Sequence, residues 1–459
     1  MKLLLVLVSL LYYAAVNAQL SGRVGPTTTR RASKQGTVCN VLKYGGVASK
    51  TSDVGPAIAS AFAACKNGGT VYVPPGEYGM STWVSLSGGK GWAMQLDGII
   101  YRTGSQNGNM IYIEKTSDFE LYSSTSRGAI QGYGYEFHKD GKYGARIMRL
   151  SHVTDFSIHD IALVDAPQFH LTLDQCTNGE LYNTVIRGGS EGGLDGVDVS
   201  GSNIWIHDVE VSNRDECITI KNTANHMLIE NIYCNWSGGC AMGSLGLDID
   251  IHHIVYNNIY TVNSNQMFMI KSNGGNGTVH DCSFTNFVGR KNAYTLDIDG
   301  HWTQLKLQPG NGVLYRDLTF QNWTATCSDG SRRAPINVVC PDGQPCYNIH
   351  IDNVNVWTES GNREYYKCAN AYGSGACLKA APGSGGANYP SYAASTVTLN
   401  ATPPEMERAN VEGNRAGFKT PPTMAADLTS LQLSESIPIP TVPTSFFPGA
   451  TPYSTLLGH

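Results

Sequence analysis

From about residue 150 onward one short pattern returns every 23 to 27 residues, and this recurrence limits the fold more than any other feature. Each copy is an apolar alternation, a step at Asp or Asn, and a second apolar alternation. It reads Phe156-Ser157-Ile158-His159-Asp160-Ile161-Ala162-Leu163 and then Ile204-Trp205-Ile206-His207-Asp208-Val209-Glu210-Val211. Met227–Tyr233 and Ile254–Tyr260 repeat it, with weaker copies at Leu181–Ile186, Tyr315–Phe320 and Ile349–Val356. The Asx steps at Asp160, Asn183, Asp208, Asn231 and Asn258 are 23, 25, 23 and 27 residues apart. Propeller blades need about 40 residues, and the framework of a leucine-rich repeat is missing. A parallel β-helix fits. Alternating aliphatics stack inward between coils, and Asn or Asp takes the bends, where a left-handed backbone is tolerated.

The ends of such a solenoid expose strand edges and need covering. Ser52–Asn67 carries Val54, Ile58, Ala61, Phe62 and Ala64 at helical spacing, which predicts an N-terminal capping helix. Beyond Lys379 Gly, Ala, Pro, Ser and Thr dominate, so residues 380–459 are expected to run extended or disordered. Met1–Ala18 has the charged start, apolar run and small-residue cleavage site of a secretory signal. The chain then divides into a signal at 1–18, a β-helix catalytic domain at 19–379 and the tail. No later stretch is apolar enough for a membrane span. The 51 glycines and only 15% charged residues suit a turn-rich β protein. A net charge of −5 without a basic stripe points away from nucleic acid.

Secretion favours disulfides among the 12 cysteines. Short loops favour Cys39 with Cys65, Cys217 with Cys234, Cys340 with Cys346, and Cys368 with Cys377. Cys176, Cys240, Cys282 and Cys327 are then buried thiols or further bridges. No CxxC or Cys/His spacing suggests zinc. Glycosylation sequons begin at Asn235, Asn276, Asn322 and Asn400.

Two acidic clusters lie one repeat apart: Leu194-Asp195-Gly196-Val197-Asp198 and Asn213-Arg214-Asp215-Glu216-Cys217. In a solenoid the 20 residues from Asp195 to Asp215 place them on neighbouring rungs, about 4.8 Å apart. Like charges so placed raise at least one pKa, and a protonated acid beside an ionised base is the equipment for cleaving a glycosidic bond. Asp215 and Glu216 are adjacent and need a kink to share one face. Asp174 precedes Asp195 by 21 residues and extends the ladder by a coil. Lys271 and Lys221 share one frame, Ile-Lys followed by a small polar residue, 50 residues apart, and Lys271 is a candidate contact for a uronate.

These segments resemble the polygalacturonase-type pectin hydrolases, glycoside hydrolase family 28. Asp195 in Leu194–Asp198 matches the family's Asn-Thr-Asp segment, and Asp215-Glu216-Cys217 its Asp-Asp pair. Ser237–Ser244 matches the Gly-His-Gly segment without the His, and Met269-Ile270-Lys271 the Arg-Ile-Lys segment with Met for Arg. With these departures the pattern is most similar to the fungal rhamnogalacturonan hydrolases of that family. The resemblance covers roughly residues 40–380. It implies a right-handed parallel β-helix, inverting hydrolysis with no cofactor, and as substrate the rhamnogalacturonan I backbone of pectin, cleaved at galacturonosyl-(1,2)-rhamnose linkages. A groove spanning several rungs suits internal cleavage of a long polymer, and a secreted monomer is expected. Asp215 is then the expected general acid. Asp195 and Glu216 are the candidates for the base, with Asp198 also catalytic, Lys271 and Asp174 bind substrate, and Met269 suits the methyl face of the neutral rhamnose. Inversion leads one to expect about 6.5–9.5 Å between acid and base. A polygalacturonase or xylogalacturonan hydrolase is the alternative, and a calcium-assisted lyase a more distant one.

Overall fold

A computed structural model of the chain describes residues 20, 22–328, 334–358, 364–382, 389–399 and 435–443. The expected signal, Asn400 and most of the tail lie outside the described residues. The chain winds into a parallel β-solenoid of about 11 turns. Every strand pairing is parallel except that of Glu364–Ala369 with Ser395–Leu399.

The repeat read from the sequence is the coil. The Asx steps adopt left-handed backbone, with φ of 57° at Asp160, 43° at Asn183, 54° at Asp208, 53° at Asn231 and 56° at Asn258. Their side chains also bond from coil to coil. Asn183 donates to Asp160 at 3.3 Å, and Asn258 to Asn231 at 3.3 Å. Each bend therefore satisfies a polar group that would otherwise crowd the apolar strands beside it.

Inside, the aliphatic positions stack in register. One ladder runs Leu173, Val199, Ile220, Met242, Ile270, Ile298 and Val338. A second runs Ile158, Leu181, Ile206, Ile229 and Tyr256, and continues through Phe284 and Phe320. The last two rings stack with centroids 4.7 Å apart. Shared register keeps side chains of one kind over one another, so the core needs no long-range code beyond the repeat.

The capping helix spans Gly55–Cys65, shorter than the 52–67 read from spacing. Asp53 explains its start. Its Oδ1 accepts from the backbone N–H of Gly55 at 3.0 Å and of Ser81 at 3.1 Å, so it serves a turn rather than a helical position. Val54, Ile58, Ala61 and Phe62 face the core, and Phe62 packs on Trp92 at 4.8 Å. Bridges join Cys39–Cys65, Cys217–Cys234, Cys340–Cys346 and Cys368–Cys377, while Cys176, Cys240 and Cys282 are buried thiols. Beyond Lys379, two parts of the segment expected to be a tail touch the solenoid. Ser395–Leu399 adds the antiparallel strand, and Ile437 and Val442 pack against Ala129, Val164 and Val185. Among the described residues no helix is long and apolar enough to cross a membrane.

The sequons differ in setting. Asn235 is 2% exposed, which leaves no room for a glycan in the folded chain. The sequence pattern could not show this, because the residue ends a strand whose neighbours close over it. Asn276 is exposed. Asn322 belongs to an Asx ladder, accepting from Asn353 at 2.8 Å.

Candidate active site

The outward column beside the first inner ladder runs Arg149, Thr172, Asp198, Thr219, Ala241, Met269 and Asp297. The acidic loops sit at its edge. Asp195 lies just before the strand Val197–Ser212, and Asp215 just before the strand Glu216–Asn235. The two thus occupy the same corner on successive coils. The kink needed for Asp215 and Glu216 to share a face is present, with irregular register between Glu216 and Thr219. One oxygen each from Asp195, Asp215 and Glu216 lies within 4.8 Å of the others.

Backbone contacts hold this geometry. Asn213 is buried, and its amide donates to the carbonyls of Leu194 at 2.7 Å and Glu216 at 2.9 Å, stapling the two loops. His170, one coil earlier, lies 3.1 Å from the Asp195 carbonyl through Nδ1. Burial pushes His170 down to about 4, so it is a neutral hydrogen-bonding group at neutral pH. From the next coil the Ser237 hydroxyl donates to the Asp215 carbonyl at 2.8 Å. Gly238 must remain a glycine, because a Cβ there would come within 2.6 Å of the Asp215 backbone. The segment Ser237–Ser244, which lacks the family's His, therefore supports the acid loop from behind.

Four carboxylates meet two ammonium groups here. Lys271 pairs with Glu216 and lies 5.7 Å from the centre of the Trp302 ring. Lys221 lies 3.2 Å from Asp198 and 3.6 Å from Asp195, and donates to the Gly243 carbonyl at 2.8 Å. With all groups ionised the cluster would carry a surplus of two negative charges in a buried setting. Burial, then Asp198 and Asp215, push the Asp195 carboxyl far above its ordinary value. Burial also raises Asp198, against the opposing pull of Lys221. Asp215 is raised by burial, opposed by the backbone N–H of Gly193 and by Lys271. Burial lowers Lys271, with the surrounding acids opposing. Burial pulls Lys221 down as well, but Asp198 and Asp195 outweigh it and leave it above ordinary lysine. The arrangement favours a protonated carboxyl beside ionised neighbours.

Asp195, Asp198, Asp215, Glu216 and Lys271 are thus brought together. Asp195, Asp198 and Glu216 are buried, while Asp215 is half-buried and is the acid that opens outward. Asp174 stands apart, paired with Arg149 and 3.3 Å from the Ser151 hydroxyl. Nearest oxygens within 4.8 Å leave room for one bridging water between neighbouring carboxylates. One expectation changes. Met269 is 1% exposed, so it shapes the floor of the site and does not present a face to a sugar. Lys221, Asn213 and His170 belong to the site but were not singled out as site residues. Lys221 was signalled by sharing the frame of Lys271. The other two act through backbone carbonyls on other coils and leave no local motif.

Residues 84–378 match the family model for glycosyl hydrolases family 28. Over 446 residues the chain is 56% identical to rhamnogalacturonase A of Aspergillus aculeatus, covering 97% of each chain. It is 56% identical to the probable rhamnogalacturonase B of Aspergillus oryzae over 96% of this chain and 80% of that one. Among solved structures it resembles the endo-xylogalacturonan hydrolase of Aspergillus tubingensis, with a TM-score of 0.61 and 22% identity over 75% of this chain and 100% of that one. That likeness concerns the fold. The family match and the full-length relatives place the chain in glycosyl hydrolases family 28.

Proposed function

We propose that the chain is a secreted, endo-acting, inverting hydrolase of the galacturonosyl-(1,2)-rhamnose linkages of rhamnogalacturonan I. The observation that carries this reading is the convergence of Asp195, Asp215 and Glu216 within 4.8 Å, in a chain 56% identical to a rhamnogalacturonase over 97% of its length. Asp215 is the general acid. It is the acid that opens outward, and burial raises its pKa. It protonates the glycosidic oxygen as the bond to the anomeric carbon breaks. A single water spans two carboxylate oxygens at this separation, through two bent hydrogen bonds of about 2.7 Å. Asp195 and Glu216 share that water, and the ionised member removes its proton as the oxygen attacks. Asp198 shares charge with Asp195 and Lys221, and so sets which of the pair is ionised.

Lys271 binds the carboxylate of the galacturonate being cleaved, beside Trp302, whose ring face suits a pyranose. A lyase would require a divalent cation to acidify the uronate. Lys221 and Lys271 already bring positive charge to these acids, which favours hydrolysis. Comparison of purified protein on rhamnogalacturonan I and on polygalacturonate tests the substrate. Cleavage of the first with negligible cleavage of the second is expected. Equal rates would return the assignment to a polygalacturonase.

A further inference from the structure

Two arginines flank the acids on the N-terminal side, and the reaction as described uses neither. Arg149 lies in the same outward column as Asp198, two rungs before it, with Thr172 between. Two rungs are roughly 10 Å, the reach of two pyranose rings. Arg149 is anchored by Asp174, and its guanidinium lies 5.9 Å from the centre of the Tyr112 ring. Arg146 lies on the same strand, Arg146–Ser151, half-buried and 5.0 Å over the Phe169 ring. Among the described residues its guanidinium has no hydrogen bond and no ion-pair partner, and the carboxylate of Asp174 is already taken by Arg149. Burial and then Arg149 work against its charge, while the more distant Asp198 and Asp195 favour it. A half-buried guanidinium beside a like charge, with no carboxylate in hydrogen-bond contact, is suited to take an anion from the groove.

We propose that Arg146, with Arg149 beside it, forms a second carboxylate subsite that takes the next galacturonate along the polymer, two sugars from the one cleaved. The inference rests on the substrate reading above. In a chain where acidic and neutral sugars alternate, a carboxylate recurs every second ring, and two rungs separate Arg149 from the acids beside which the Lys271 ammonium sits. Lys271 on one side of the acids and Arg146 on the other would then read the alternation itself. Asp174 is a positioning residue here, holding Arg149 so that Arg146 remains free to bind.

The test compares Arg146→Gln, Arg146→Lys and the wild type on rhamnogalacturonan oligosaccharides of defined length. Some fill the second subsite, and some are too short to reach it. The wild type should favour the longer ones in kcat/KM. Arg146→Gln should lose roughly tenfold on those, the scale of one charge-assisted hydrogen bond, with the loss mainly in KM. On the short ones it should match the wild type, and Arg146→Lys should recover part of the difference. Esterifying the carboxyl groups of the long substrate should abolish the gap between wild type and Arg146→Gln. Equal losses on short and long substrates, with a shifted pH profile, would show Arg146 acting through Asp195 and Asp198 and would overturn the subsite alone. No loss on any length would do the same. A wild type unable to cleave any of these oligosaccharides would overturn the substrate assignment, and the subsite with it.

Discussion

Replacing Asp215 with Asn removes the proton donor and keeps the shape. As general acid, Asp215 should contribute about 10²- to 10⁴-fold to the rate, or about 3–5 kcal/mol of barrier. Stability should move the other way. Carboxylate oxygens within 4.8 Å of one another repel by about 3 kcal/mol per ionised pair at an effective dielectric constant of about 20. Lys271 and Lys221 offset much of this, so the net gain on removing one charge is a fraction of that figure. The pH dependence fixes the sign. The pKa of Asp215 is raised in the folded protein, whereas an unfolded Asp titrates near about 3.9. The folded state therefore holds this proton more tightly. The stability it supplies is complete below the unfolded value and is lost as pH rises through the folded one. Asn cannot lose a proton, so Asp215→Asn should gain on the wild type as pH rises above about 4. Steady-state rates on rhamnogalacturonan I and thermal unfolding at pH 3, 5 and 7 measure both effects. A variant within tenfold of wild-type kcat would remove Asp215 from the acid role. One that unfolds earlier at pH 7 would show that the backbone donors of Gly193 and Glu216 matter more than charge relief.

Three further substitutions probe the site. Lys271→Ala should raise KM on rhamnogalacturonan and lower kcat, because Glu216 loses its counter-ion along with the uronate contact. An unchanged KM would remove Lys271 from substrate binding. Lys221→Met removes the cation that holds down the pKa values of Asp195 and Asp198, so the acidic limb of the kcat/KM profile should move to higher pH. An unmoved limb would place the base outside that pair. Asn213→Ala should destabilise the fold by about 1–3 kcal/mol through the loss of buried hydrogen bonds, and lower kcat by loosening both acid loops. A drop in melting temperature with normal kcat would make Asn213 structural only.

The coil was legible because its rules are local. Asp160 and Asn231 are bends for reasons contained in their own side chains, and the alternation around them sets what faces inward. The meeting of Asp195 with Asp215 followed from the same arithmetic, since a repeat length converts sequence distance into a rung. What stayed hidden depends on how neighbouring coils close over a residue. Asn235 reads as a glycan site and is buried. Met269 reads as a sugar contact and lies beneath the surface. Arg146 and Arg149 carry no motif at all. Arg149 takes its meaning from standing two rungs before Asp198, and Arg146 from standing on the same strand with no carboxylate in contact. Rung separation gives the distance between backbones, while Asn213 and Ser237 decide how far the loops lean together.

The mechanism is tested most directly by following the first turnovers on rhamnogalacturonan I by proton NMR. Attack by the shared water predicts that new galacturonate reducing ends appear first as the β-anomer and equilibrate later, with no signal from an unsaturated uronate. First appearance of the α-anomer would mean a covalent intermediate on one of the three carboxylates, and a vinyl proton would mean elimination. Either would contradict inverting hydrolysis at Asp195, Asp215 and Glu216.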